Sequence, residues 1–141
     1  MRFRWLFCVL LWVAYAGPIR QGRAQQGPEL MAQASNAEWL ALVDAEKYGE
    51  SWEAASAPVK AAVSKEQWTK SMTDNRSPLG RLVTRTLASS AYSKKLPGAP
   101  DGEYVMTLYT TRFEHKESAQ ETVISVREKD GQWRVAGYYF K

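Results

Sequence analysis

One cysteine, Cys8, and one histidine, His115, are all that these 141 residues hold of the two types most used for metal binding and nucleophilic catalysis. Cys8 lies in an apolar N-terminal run, so the rest of the chain has no thiol for a disulfide, a covalent step or a metal ligand. Zinc usually draws several His or Cys ligands, so one histidine and scattered carboxylates give poor support for a zinc centre. No glycine-rich loop stands between a strand pattern and a helix to cradle a phosphate. Asp101-Gly102-Glu103 has part of a calcium-loop pattern but lacks the other ligands, and reads as a turn. No metal and no cofactor is expected. There is no internal repeat and no low-complexity tract. A surplus of one charge is lacking too, once the N-terminus is set aside.

That N-terminus is an export signal in layout. Met1-Arg2-Phe3-Arg4 is basic, and Trp5 to Ala16 is apolar throughout but shorter than the about 20 residues of a membrane span. Cleavage sites of small-x-small type follow at Ala14-Tyr15-Ala16 and at Gly22-Arg23-Ala24; the second suits a signal spanning 1–24. The expected location is therefore outside the cytoplasm, periplasmic or secreted, with no membrane anchor after cleavage. Nineteen basic side chains less Arg2, Arg4, Arg20 and Arg23 leave fifteen, against fifteen acidic ones. A balanced domain lacks the electrostatic footprint of a nucleic-acid binder. Its about 115 residues suffice for one core and not for two.

From 25 to 34 the chain is polar around Gly27-Pro28 and reads as a flexible lead-in. A single domain over 35–141 follows. Ser35 or Asn36 can cap a helix carrying Trp39, Leu40, Leu42 and Val43, and a second runs from Glu50 through Trp52 to Pro58. Pro58 can open a further turn through Val59 and Val63. Ser64-Lys65-Glu66-Gln67 is a capping box for a third helix with Trp68 and Met72. After Gly80 the residues turn β-branched and aromatic, with strands expected near 81–92, 103–113, 119–128 and 132–140. This order predicts an α+β fold, about three helices packed on one face of a curved four-stranded antiparallel sheet.

Turn chemistry sorts the strand residues onto faces. Asp130-Gly131 fits a two-residue type I′ turn, which sets Val126 opposite Val135, Ile124 opposite Gly137 and Glu128 opposite Trp133. Thr122, Ile124, Val126, Trp133, Val135 and Tyr139 then share the core face, with Glu121, Ser125 and Tyr138 outside. A His115-Lys116 turn adds Val105, Thr107, Tyr109, Thr111 and Phe113 to that core face.

The segments Ala37-Glu38-Trp39-Leu40-Ala41-Leu42-Val43-Asp44, Tyr48-Gly49-Glu50-Ser51-Trp52, Arg76-Ser77-Pro78-Leu79-Gly80, the loop from Leu96 to Tyr104, and Trp133-Arg134-Val135-Ala136-Gly137-Tyr138-Tyr139 occur in order. Together they resemble the bacterial domain-of-unknown-function family numbered 4019, over nearly the whole domain. The resemblance carries no activity and no site residues. Helices followed by a curved sheet are also similar to the cone-shaped nuclear-transport-factor-2-like superfold. That resemblance implies isomerases, dehydratases or plain binding modules alike.

A binding cavity between helices and sheet would be lined by Trp39, Trp52, Trp68, Thr107, Tyr109, Thr122 and Tyr139, the amphipathic and polar groups assigned to that side. Core filling by the tryptophans, with the hydroxyls bonded internally, is the plainer account of the same residues. His115, in Glu114-His115-Lys116-Glu117, reads as a solvated turn residue, since a general base needs a pocket and an orienting partner. Two functions follow. The first is a non-catalytic exported module binding a small apolar ligand or an envelope protein. The second is a small cofactor-free lyase or isomerase using a pocket Asp or Tyr, with Asp44 the helix-borne acid to examine.

Overall fold

The computed structural model describes residues 27–141, so the expected export signal, its expected cleavage sites and Gln25-Gln26 lie outside the described residues. Four helices lead: α1 (Pro28–Asp44), α2 (Tyr48–Ala54), α3 (Ala57–Ala62) and α4 (Lys65–Asn75). A 3-10 turn at Ser77–Leu79 precedes β1 (Leu82–Ser93), β2 (Tyr104–Phe113), β3 (Lys116–Arg127) and β4 (Trp133–Phe140). The α+β class and the four-stranded antiparallel sheet are as expected, in the order β1-β2-β3-β4. The helix count is four, not three. The turn that Pro58 opens is a helix in its own right, with Pro58 in its first turn where a missing N–H costs nothing.

Helix α1 also starts seven residues before Ser35, at Pro28, so most of the expected lead-in is helical. Pro28 occupies the first turn behind an extended Gly27, and the early turn is anchored because Ala32 is fully buried beside Val105 and Trp133. The capping box at α4 is formed: Gln67 N–H donates to Ser64 Oγ, and Ser64 N–H to Gln67 Oε1. No helix among the described residues is long and apolar enough to cross a membrane.

The sheet register corrects the expected face of β3. Lys129, Asp130 and Gly131 together make the β3–β4 turn: Glu128 N–H donates to Gln132 O, Gly131 N–H donates to Glu128 O, and Gly131 takes φ +81°. One extra turn residue sets Arg127 opposite Trp133 and Ser125 opposite Val135. An irregularity at Ala136 then restores Ile124 opposite Gly137, as expected. The β2–β3 turn falls on Glu114-His115, one residue early, with Phe113 opposite Lys116.

Both shifts turn β3 over. Glu121, Val123 and Ser125 point inward and are buried, while Thr122, Ile124 and Val126 face outward and are half-buried. On β4, Trp133 and Val135 are inward as expected; Tyr138 replaces Tyr139 there, and Tyr139 is 61% exposed. The β2 set Val105, Thr107, Tyr109, Thr111 and Phe113 is buried as expected.

The core joins Trp39, Leu40 and Val43 of α1 to Tyr48, Met72, Tyr109, Val123 and Val135, with Trp68 and Tyr138 against it. Trp39 meets Trp68 and Tyr138 edge-on at 6.1 and 5.3 Å between centroids. The two sheet edges differ. At β4, the α2–α3 link supplies Ser56 N–H to Val135 O at 2.9 Å. Along β1 no backbone bond from outside the sheet is formed between Leu82 and Ser93 among the described residues.

Candidate functional site

The residues expected to line one cavity occupy three places. Thr107 and Tyr109 are buried under α1, where Asn36 Nδ2 donates to Thr107 Oγ1 at 3.2 Å and Ser125 Oγ donates to Asn36 Oδ1 at 2.5 Å. The three helix tryptophans each spend their indole N–H within the fold. Trp39 donates to Ser51 O (2.8 Å), Trp68 to Ser51 Oγ (3.0 Å) and Trp52 to Val63 O (3.0 Å). Thr122 and Tyr139 lie on the opposite side of the sheet. Trp39, Thr107 and Tyr109 are buried in the helix–sheet interior, where Asn36, Thr107 and Ser125 bond one another.

What the interior holds instead is a charged cluster. Arg85 of β1 donates through Nη1 to Asp44 Oδ2 (2.7 Å) and through Nη2 to Asp44 Oδ1 (3.0 Å). It also reaches Glu121 through Nε at 2.7 Å and Nη2 at 3.1 Å. Glu121 is wholly buried, and accepts further bonds from Thr111 Oγ1 at 2.5 Å and from the Tyr138 hydroxyl. Arg76, at the end of α4, adds a bond to Asp44 Oδ1 (3.2 Å) and one to Gly80 O (2.8 Å), with its guanidinium 4.2 Å from the Phe113 ring centroid. Two guanidinium groups thus meet two carboxylates, and the cluster is neutral.

Burial opposes the charge of Arg85, but its bonds to Asp44 and Glu121 outweigh that effect and raise its pKa. The Tyr138 hydroxyl is pushed up by burial first and then by the Glu121 charge. Burial raises Tyr109 as well. A tyrosine whose folded pKa lies above its unfolded value of about 10 adds stability below that pH and loses it as pH climbs toward the folded value. Wild-type stability is therefore expected to fall above about pH 10, and Tyr138→Phe to flatten the fall. Urea midpoints across that range check this; equal slopes in both proteins would remove Tyr138 from the account.

A second feature lies outside the core. A groove of about 630 Å³ runs between α1 and the end of the sheet. Its α1 wall includes Met31, Glu38 and Leu42, spaced seven and then four residues apart and so on one helix face. Its other wall is the β3–β4 turn and the start of β4, with Gln132, Trp133 and Arg134. Ser35 Oγ donates to Trp133 O at 2.7 Å and fixes the two walls together. Asp130 holds the Arg134 guanidinium through two bonds of 3.0 and 2.8 Å. Glu38 is exposed and has no ion-pair partner among the described residues. Of the expected lining residues, Trp39 alone borders this groove.

His115 is exposed at the tip of the β2–β3 turn, with its backbone N–H donated to Leu79 O at 2.9 Å. His115→Ala is expected to change unfolding free energy by no more than about 0.5 kcal/mol. A larger loss in a urea titration would mean that the ring, not just the backbone, secures the turn. No group of three or more His, Cys, Asp or Glu able to hold a metal occurs among the described residues.

Fold and site define a small α+β domain with helices on one face of a four-stranded antiparallel sheet, a packed interior and an open groove at one end. The chain belongs to the family described as protein of unknown function (DUF4019), which it matches over residues 35–138. No curated protein and no solved structure matches it.

Proposed function

We propose that the protein is an exported, non-catalytic binding module that holds a segment of an envelope protein in the groove between α1 and the β3–β4 turn. The observation that carries this reading is the contrast between the two candidate places. Inside, the carboxylates and most other buried polar side chains are already bonded, with Ser56 Oγ and Arg76 Nε the exceptions among the described residues. Glu121, the buried carboxylate an enzyme would use, accepts four hydrogen bonds from Arg85, Thr111 and Tyr138 and has no free lone pair aimed at a cavity. At the groove, by contrast, apolar Met31 and Leu42 stand beside Glu38, a carboxylate with no ion-pair partner among the described residues.

The groove is open along one side and mixes apolar with polar lining, whereas a site for a small apolar molecule encloses most of its ligand. An extended chain segment with aliphatic side chains and a lysine or arginine for Glu38 matches it. A photo-cross-linking residue at Met31 in the exported protein is expected to capture such a partner in living cells, and the same residue at Lys60 on α3 is not. Capture at neither position, together with stabilisation by apolar small molecules, would replace the protein partner with a small ligand. Export has its own check. Mass spectrometry of the protein outside the cytoplasm is expected to find a chain starting near Gln25, and retention of Met1 would contradict it.

A further inference from the structure

We propose that the groove between α1 and the β3–β4 turn takes its partner as a proline-rich segment in polyproline II conformation, with a lysine or arginine placed at Glu38. This inference rests on the groove being a protein-binding site, and it names the conformation and residue type that the groove selects.

An extended chain can lie beside a strand in two ways. Added to the sheet, it exchanges N–H and C=O groups with the edge strand; in polyproline II form it makes no backbone ladder. The strand wall of the groove decides between them. Glu128 N–H donates to Gln132 O, so Gln132 turns its backbone toward β3, and alternation does the same for Arg134, opposite Val126. The carbonyls of Trp133 and Val135 therefore point to the open edge, and both are engaged. Ser35 Oγ donates to the first at 2.7 Å and Ser56 N–H to the second at 2.9 Å. These donors come from α1 and from the α2–α3 link, so each stands where an added strand would run. From Gln132 to Val135 every backbone carbonyl is thus turned to β3 or occupied by the fold itself. An ordinary peptide held against this wall would bury N–H groups without acceptors, which is costly. Proline has no N–H to bury.

The rest of the lining fits the same occupant. Trp39 and Trp133 border the groove together with Met31 and Leu42, and grooves that receive polyproline II chains are lined by aromatic side chains. The Gln132 side chain is exposed and makes no hydrogen bond among the described residues, so its amide can donate to a ligand carbonyl. Charge sets the polarity of the ligand. Arg134, the one cation of the lining, is already held by Asp130, which leaves Glu38 to select a basic residue.

The test selects phage displaying random twelve-residue peptides on the protein purified after export. Retained sequences are expected to hold proline at least about fivefold above the input library, with one lysine or arginine. Glu38→Lys should turn the basic preference into an acidic one. Ala34→Trp, which fills the groove from an exposed helix position, should abolish retention with unchanged circular dichroism. In a synthetic peptide of the most frequent sequence, alanine for every proline should raise Kd at least about tenfold. N-methylalanine, which also lacks the N–H, should recover part of that loss. Retained peptides of alternating β-branched residues without proline would overturn the proposal and leave the groove a site for an added strand. Retention that survives Ala34→Trp, or no retained peptide at all, would overturn it too. Cross-linking at Met31 then shows separately whether the groove binds a protein.

Discussion

Arg85→Met is expected to cost about 3–5 kcal/mol, the largest loss from any single polar substitution in the domain. Arg85 is 12% exposed at its side chain and binds two carboxylates at once, one of them with no exposure at all. Removing the guanidinium leaves Glu121 inside the protein with only the hydroxyls of Thr111 and Tyr138, and a buried charge without an opposite charge is expensive. Asp44 fares better, since Arg76 still reaches it. The loss should appear as a fall in Tm of roughly 10–20 °C. Pairing Arg85→Met with Glu121→Gln should return much of it, because the orphaned charge is then gone. A double variant no more stable than Arg85→Met alone would show that methionine packing, not electrostatics, sets the penalty.

Trp39→Ala is expected to cost about 3–5 kcal/mol through lost burial and the cavity left behind. Trp39 is 3% exposed and sits where α1, α2, α4 and β4 converge. Its ring meets Trp68 and Tyr138 edge-on, and its indole N–H holds Ser51 O, so the substitution also leaves a buried carbonyl unpaired. Trp39→Phe should keep part of the packing and lose the bond, which places it between the two. Urea unfolding of the three proteins checks the order, and a Trp39→Ala loss below about 1.5 kcal/mol would mean that the neighbouring rings close over the gap.

Element order and the inward set of β2 were legible in the sequence, because Val105, Thr107, Tyr109, Thr111 and Phe113 alternate with residues that have no better claim to burial. The face of β3 was not. Pattern rules send Ile124 and Val126 inward and Glu121 outward, and here that preference is reversed by the cluster that Arg85 brings to Glu121. The turn added to the error. Asp130-Gly131 does mark a hairpin, but whether two or three residues close it depends on the Glu128 and Gln132 backbone bond, which no residue type announces. The irregularity at Ala136 is equally silent, and it exchanges Tyr139 for Tyr138 in the core.

The cluster itself had no signal. Its members come from α1, the end of α4, β1 and β3, with 32 to 41 residues between bonded partners, and each looks like an ordinary surface charge in its own segment. The capping box at Ser64 shows the opposite case, where both partners lie within four residues and the motif is the structure. One wall of the groove was hidden for a simpler reason: Met31 lies in the stretch whose glycine and proline suggest a flexible lead-in. Pro28 in fact starts the helix there.

The unequal edges of the sheet limit what strand addition can build. A filament that grows by backbone pairing needs a free edge at each end of every subunit, one to receive and one to offer. Here Ser56 N–H already takes the Val135 carbonyl of β4, whereas β1 has no such backbone partner among the described residues. A chain that paired through β1 would consume the less obstructed template in both molecules, which favours a closed pair over elongation. The domain can expose twelve residues of uncapped strand with little tendency to seed a fibre.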